Sequence, residues 1–242
     1  MNTIKLHANS VKMVAHRGLS GLERENTCPA FVAAGNRSYF GIETDVHKTA
    51  DGKFVVIHDE TTKRASLGAV DVNVEKVPYA ALADIVLPDL DGSTHRTDIR
   101  IPLLADYVSI CKKYEKICVL ELKNAFAPAD IEAIIAEIRA LSYLENVIFI
   151  SFDRQNCLTL RALLPTAKIQ WLTSDKITQK VIDGLVADRL DLDVSYKRLT
   201  PEIVAALHTA GITVNCWTCD DKAEAEALVA MGVDMITSNI LE

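Results

Sequence analysis

Short apolar runs recur along the whole chain, and amphipathic stretches separate them. The runs are KMVAHRG (12–18), GIETDVHKT (41–49), FVVIHD (54–59), ICVLELKN (117–124), VIFISFD (147–153), KIQWLT (168–173), LDLDVSY (190–196), TVNCWT (213–218) and DMITSN (234–239). Each has the length and apolar density of a strand covered on both faces. PADIEAIIAEIRAL (128–141), TPEIVAALHTAG (200–211) and DKAEAEALVAMG (221–232) carry a helical period instead. Pro201 just inside one start, and Gly211 and Gly232 past the last turns, are the punctuation that helices use. Strands alternating with helices predict an α/β fold with a parallel sheet.

One link breaks the alternation. Only a few residues, around Asp51-Gly52, separate the second run from the third. A parallel crossover needs about a dozen residues, so these two strands are predicted to pair as an antiparallel hairpin. Setting FVVIHD aside leaves eight strands. The arrangement expected is a (β/α)8 TIM barrel with an extra β-hairpin strand, a single domain spanning 1–242. The turn-rich segment 60–101 is too long for an ordinary barrel loop and reads as a small cap-like insertion, with one short helix near 78–86. IPLLADYVSICKKY after it reads as a helix.

Composition narrows the function classes. A formal charge of −7 and a pI near 5.4 argue against a broad nucleic-acid footprint while leaving room for a local phosphate pocket. No stretch is long enough for membrane insertion, and the N-terminal residues lack a secretory core, so a cytoplasmic location is expected. The six cysteines then read as reduced core residues. Cys216 and Cys219 form a C-x-x-C, but it lies within a strand and no second pair completes a zinc site.

Strands buried on both faces should be apolar, and carboxylates break that rule here. Glu43 and Asp45 stand two apart in IETDV and so project from one face; Glu121 and Lys123 share a face by the same period. A lone buried carboxylate costs several kcal/mol or takes up a proton, so three together call for a cation. Oxygen ligands select one divalent cation, Mg²⁺ or Ca²⁺, with Mn²⁺ also compatible. Arg17 and Lys123 lie at strand ends, and His16 and His58 close MVAH and VVIH. One dication with Arg17 and Lys123 balances the three carboxylates and a monoanionic phosphodiester. All these residues occupy the carboxyl ends of different strands, where a TIM barrel places its chemistry. Two imidazoles across a phosphate suit diester cleavage, one taking a proton while the other gives one.

At these residues the chain resembles the glycerophosphodiester phosphodiesterase family. AHRG with ENT, then IETDVHKTADGKFVVIHD, then ELK, follows that family's motifs in order, and CWT and GVDMITS are similar to its last two strands. The resemblance implies His16 and His58 as the acid/base pair, Glu43, Asp45 and Glu121 as metal ligands, and Arg17 and Lys123 on the phosphate. It places Trp217 on the pocket wall. It also implies a small-molecule glycerophosphodiester substrate, hydrolysed to sn-glycerol 3-phosphate and an alcohol such as choline or ethanolamine. Two departures stand out. ITSNILE lacks the aspartate and proline common at the last strand, and Arg24 occupies a usual proline position. Competing readings are a related TIM-barrel phosphodiesterase or lyase that forms a cyclic phosphate, and a protein that binds phosphodiesters without turnover.

Several residues are assigned lesser roles. Asn26 and Glu25 fall in the loop after the first strand, where they either face the site or hold the loop. His47 reads as solvated or as a supporting group, and Asp59, opposite His58 by alternation, as a turn residue. His7, His95 and His208 read as surface, and Trp171 fits core or pocket wall equally.

Overall fold

A computed structural model describes residues 2–8 and 10–242. Among these residues nine strands form one sheet: β1 (Lys12–Ala15), β2 (Gly41–Lys48), β3 (Phe54–Val56), β4 (Ile117–Leu122), β5 (Val147–Ser151), β6 (Lys168–Thr173), β7 (Asp191–Ser195), β8 (Val214–Trp217) and β9 (Met235–Ser238). Their order is β1-β9-β8-β7-β6-β5-β4-β2-β3, and a β1–β2 pairing closes the eight parallel strands into a barrel. β3 stays outside, antiparallel to β2 through Val46↔Val56 and Lys48↔Phe54. All nine expected strands are present, though most end earlier than the apolar runs that predicted them.

Among the described residues seven α-helices pack around the barrel: α1 (Cys28–Gly35), α2 (Leu104–Lys113), α3 (Pro128–Ala140), α4 (Arg154–Leu163), α5 (Gln179–Asp188), α6 (Pro201–Thr209) and α7 (Lys222–Met231). Their ends follow the chemistry of the sequence. Asp221 caps α7 by accepting from the Glu224 N–H at 3.0 Å, and Gly232 closes it in the left-handed region. No helix among the described residues is long and apolar enough to cross a membrane.

The period of two along each strand sorts side chains into two cores. Outward positions such as Ile42, Leu120, Phe149 and Leu192 meet the helices, where Phe31 and Tyr107 stack edge to face at 5.0 Å. Inward positions Val14, Val119, Ile148, Ile150, Leu172 and Met235 fill the barrel. Continuing the inward rows leads to His16, Glu43, Glu121 and Asp193.

Residues 60–101 make a small lobe with its own apolar cluster, built on Val55 and Ile57 and including Val74, Leu82, Leu87 and Ile99. The helix expected near 78–86 is only a 3₁₀ turn, Tyr79–Ala81. Leu82 and Leu87 both bury in this cluster, and the Leu87 N–H donates to the Ile99 carbonyl, so the chain must straighten between them.

The cysteines carry no disulfide among the described residues. Cys216 and Cys219 are buried, and each thiol donates to a backbone carbonyl, of Met235 and Asp221 respectively. Burial pushes Cys219 up to about 11, so it stays a thiol.

Candidate active site

The inward row of β2 carries Glu43 and Asp45, both buried, and the parallel register sets Asp45 beside Glu121 of β4. One oxygen from each of the three lies within 4.8 Å of the others. The loop after β1 closes over them. Arg17 adopts φ 53°, an uncommon left-handed conformation for its type, and its peptide N–H donates to Glu43 Oε2 at 2.8 Å. Gly18 follows at φ 77°, and a Cβ there would stand 2.7 Å from the Ala30 backbone at the start of α1. Only glycine fits. Asn26 is buried and contacts the acidic group: its amide donates to Asp45 Oδ2 at 2.8 Å, and its Oδ1 accepts from Thr44 at 2.7 Å.

The charges do not balance within the protein. Burial, then the charge of Asp45, lifts Glu121 to about 8 and Glu43 well above the usual carboxylate range. Burial works against Asp45 too, but Lys123 and Arg17 overcome it and hold Asp45 low. Asp45 Oδ1 and Glu121 Oε1 are buried without a hydrogen-bond partner among the described residues. Lys123 Nζ forms ion pairs with both, at 3.4 and 2.8 Å, one cation shared between two carboxylates. Two buried oxygens sharing one lysine, and two carboxyls driven toward protonation, fit a hard dication, which would let all three ionise.

His16 and His58 flank this group. Asp220 can only accept, so the Asn239 amide turns its Nδ2 toward Asp220 Oδ2 at 2.6 Å. Asn239 Oδ1 therefore faces His16 Nδ1 at 2.8 Å, and Nδ1 must be the donor. The Nε2 lone pair is left toward the site, 3.9 Å from Glu43 Oε2. Burial, then Arg17, lowers the His16 pKa to about 4. His58 Nδ1 lies 2.5 Å from Asp59 Oδ1, and Arg64 grips both Asp59 oxygens at 2.7 and 3.1 Å. Burial lowers His58 as well, with the Asp59 contact opposing it. Asp59 lies in the bend after β3, as expected, but does not point away from His58: β3 ends at Val56, so strand alternation no longer governs residues 58 and 59.

A cavity of about 180 Å³ opens between these groups, lined by His16, Arg17, Glu43, His58, Glu121 and Trp217 among others. Asp45 and Lys123 are not in that lining but form ion pairs with Arg17 and Glu121, which are. Of the eight site residues expected from sequence, six line the cavity and the other two stand directly behind it. Trp217 forms a wall with Phe152, ring centroids 5.6 Å apart in an edge arrangement. Trp171 points outward on β6, its indole N–H donating to the Phe152 carbonyl at 3.2 Å, and is not part of the lining.

His47 is buried, not solvated: Nδ1 meets Glu75 at 2.9 Å and Nε2 meets the His58 carbonyl at 3.2 Å. It braces the loop that carries His58. Glu25 bridges Arg17 and Arg64 at 3.0 and 2.9 Å. His7, His95 and His208 are exposed, as expected. No residue of 60–101 lines the cavity; that segment touches the site through Arg64. Arg24 donates to the Ala65 carbonyl at 2.6 Å, tying the first loop to the same lobe.

Asp193 is a lining residue that the sequence reading passed over. It is buried on β7, and burial together with the charge of Glu121 raises its carboxyl well above the usual range. The signal was present, since an aspartate inside LDLDV breaks the same rule as Glu43 does in β2.

The chain aligns along its length with known proteins. It is 28% identical over 232 residues to a glycerophosphodiester phosphodiesterase of Caldanaerobacter subterraneus, covering 94% of this chain and 93% of that one. A glycerophosphodiester phosphodiesterase of Bacillus altitudinis is 28% identical over 233 residues, 93% of each chain. Among solved structures, a phosphodiesterase of Oleispira antarctica in complex with sn-glycerol-3-phosphate superposes with TM-score 0.83 at 23% identity, over 98% of this chain and 96% of that one. The glycerophosphodiester phosphodiesterase of Thermotoga maritima superposes with TM-score 0.72 at 26% identity, over 95% and 94%. With the model of the Glycerophosphoryl diester phosphodiesterase family matching residues 16–242, the chain belongs to that family, as an enzyme that hydrolyses glycerophosphodiesters.

Proposed function

We propose that the enzyme hydrolyses its diester with one Mg²⁺ or Ca²⁺ held by Glu43, Asp45 and Glu121, Mn²⁺ also being compatible, and with His16 and His58 as proton carriers. The observation that carries this reading is the meeting of three buried carboxylates from β2 and β4, two of them sharing one lysine, with two imidazoles around one cavity. The dication, when bound, would supply Lewis-acid charge for a phosphoryl oxygen.

The chain's own residues divide the remaining work. Arg17 and Lys123 offer positive charge where the phosphodiester anion must sit. His16, neutral and with its Nε2 lone pair facing the site, takes the proton of the attacking water. His58, backed by the Asp59 carboxylate, is the better holder of a proton and passes it to the departing alkoxide. The products are sn-glycerol 3-phosphate and an alcohol such as choline or ethanolamine. The phosphodiesterase relatives and the Oleispira phosphodiesterase, which binds sn-glycerol-3-phosphate, support that substrate class.

Purified protein supplied with Mg²⁺ or Ca²⁺ should convert glycerophosphocholine to sn-glycerol 3-phosphate and choline, and EDTA should abolish turnover. Turnover that persists after exhaustive chelation would remove the metal site from the mechanism.

A further inference from the structure

Two polar groups in the cavity wall have no role in moving protons or holding a cation. Asp193 is 2% exposed, lines the cavity, and its Oδ1 has no hydrogen-bond partner among the described residues. Trp217 Nε1, in the same wall, is also buried and unpartnered. The polar chain across the barrel passes Asp193 by: Asn215 donates to Gln170 at 3.2 Å and accepts from Thr237 at 3.3 Å. The β7–β8 register sets Asp193 beside Asn215 and Ser195 beside Trp217. The two orphans thus sit on neighbouring strands, one inward position apart. A separate depression, about 300 Å³ near Lys48 and Glu75, shows nothing comparable, because Lys48 pairs with Asp130 and Glu75 with His47.

A buried polar group without a partner is costly, so an acceptor and a donor orphaned together mark a place where a ligand completes the hydrogen bonding. A quaternary ammonium can satisfy neither by hydrogen bonding. A primary ammonium can donate to Asp193 but offers Trp217 nothing. A hydroxyl both donates and accepts, and two hydroxyls on adjacent carbons can serve both groups at once. Either protonation state of Asp193 keeps an acceptor oxygen.

We infer that Asp193, with the Trp217 N–H, forms a diol subsite that binds the hydroxyls of the glycerol arm and so determines which phosphodiesters are accepted. The inference rests on the substrate class proposed above and adds the residues that read it. Apolar Ile150 and Leu172 line the same cavity and suit the carbon chain between the hydroxyls.

Calorimetric titration with sn-glycerol 3-phosphate and with propyl phosphate, which keeps chain and phosphate but lacks both hydroxyls, tests the subsite. The wild-type protein should prefer sn-glycerol 3-phosphate at least about 10-fold, the lower range for a buried group left unpaired. Asp193→Leu should bring that ratio close to one with propyl phosphate binding unchanged, and Trp217→Phe should reduce it while keeping the ring. Asp193→Asn guards against misfolding: its ratio should fall below about a third of the wild-type value. An unchanged ratio in the Asp193 variants, an equal loss for both ligands, or no wild-type preference would overturn the subsite. Selective binding without hydrolysis of any glycerophosphodiester would keep the subsite and remove the catalytic reading; hydrolysis without selectivity would do the reverse.

Discussion

Chelating the protein and raising the pH isolates the acidic group from the rest of the fold. Glu121, lifted to about 8 by burial and then by Asp45, and Glu43, lifted in the same direction, hold protons in the folded chain that the unfolded chain has released. Their folded pKa values are raised, so their contribution to stability is complete below the ordinary carboxylate range and is lost as pH climbs through the folded values. His16 and His58 run the other way. Their folded values are lowered, so what they contribute is lost as pH falls below about 6.5, the unfolded value. Asp45 is held low and matters only in stronger acid. From pH 6.5 to 8 the acidic group therefore acts without the two site histidines. At 1.36 kcal/mol per pKa unit, that window costs the metal-free fold at most about 2 kcal/mol for Glu121; side-chain relaxation on ionisation lowers it to about 1–2. For a domain this long each kcal/mol moves Tm by about 2–4 °C, so the melt should fall by roughly 2–8 °C. Saturating Ca²⁺ or Mg²⁺ at pH 8 should reverse the fall, since a hundredfold excess over Kd adds about 2.7 kcal/mol. Differential scanning calorimetry across the series measures both effects. Glu121→Gln should flatten the slope and blunt the rescue. A chelated wild-type melt that stays level from pH 6.5 to 8, or a Glu121→Gln slope as steep as the wild type's, would refute the reasoning; Glu43 and Asp193, also raised, leave the variant a shallower slope.

The division of labour between the histidines predicts a leaving-group signature. His58→Ala should lose about 10²–10⁴-fold on glycerophosphocholine but far less on a 4-nitrophenyl diester, whose phenolate departs without protonation, whereas His16→Ala should lose heavily on both. Steady-state rates on the two substrates decide it, and equal losses in His58→Ala would reassign the acid. Asn239→Ala removes the acceptor that fixes His16 in its Nδ1–H form. It should lower kcat about 10-fold or more with little change in KM, following the usual scale for a lost hydrogen bond. A kcat equal to wild type would show that Asn239 does not position the ring.

How much of this was legible in the sequence depended on whether local periodicity could express it. The strand count, the hairpin at Asp51-Gly52 and the shared face of Glu43 and Asp45 follow from a period of two and a loop too short for a crossover. The helix near 78–86 failed because Leu82 and Leu87 answer to a cluster on Val55 and Ile57, distant in sequence. Asp59 was misread because alternation was carried past Val56, where the ladder had ended. Asn239 and Asp220 had no local signal at all, since their value to His16 exists only once β9 lies beside β1 and barrel closure brings both chain ends together. That closure also explains why a departure in the last strand is no peripheral matter. The side chain at 239 sets which His16 nitrogen carries hydrogen, and hence whether the ring can accept a proton from water. The same geometry separates the two imidazoles chemically: burial and Arg17 keep the His16 ring neutral against a hydrogen bond to an uncharged amide oxygen, whereas His58 has a carboxylate behind it, which supports a charged ring more strongly. A site with like partners behind both rings would have no such bias, and its acid and base would have to be distinguished by substrate alone.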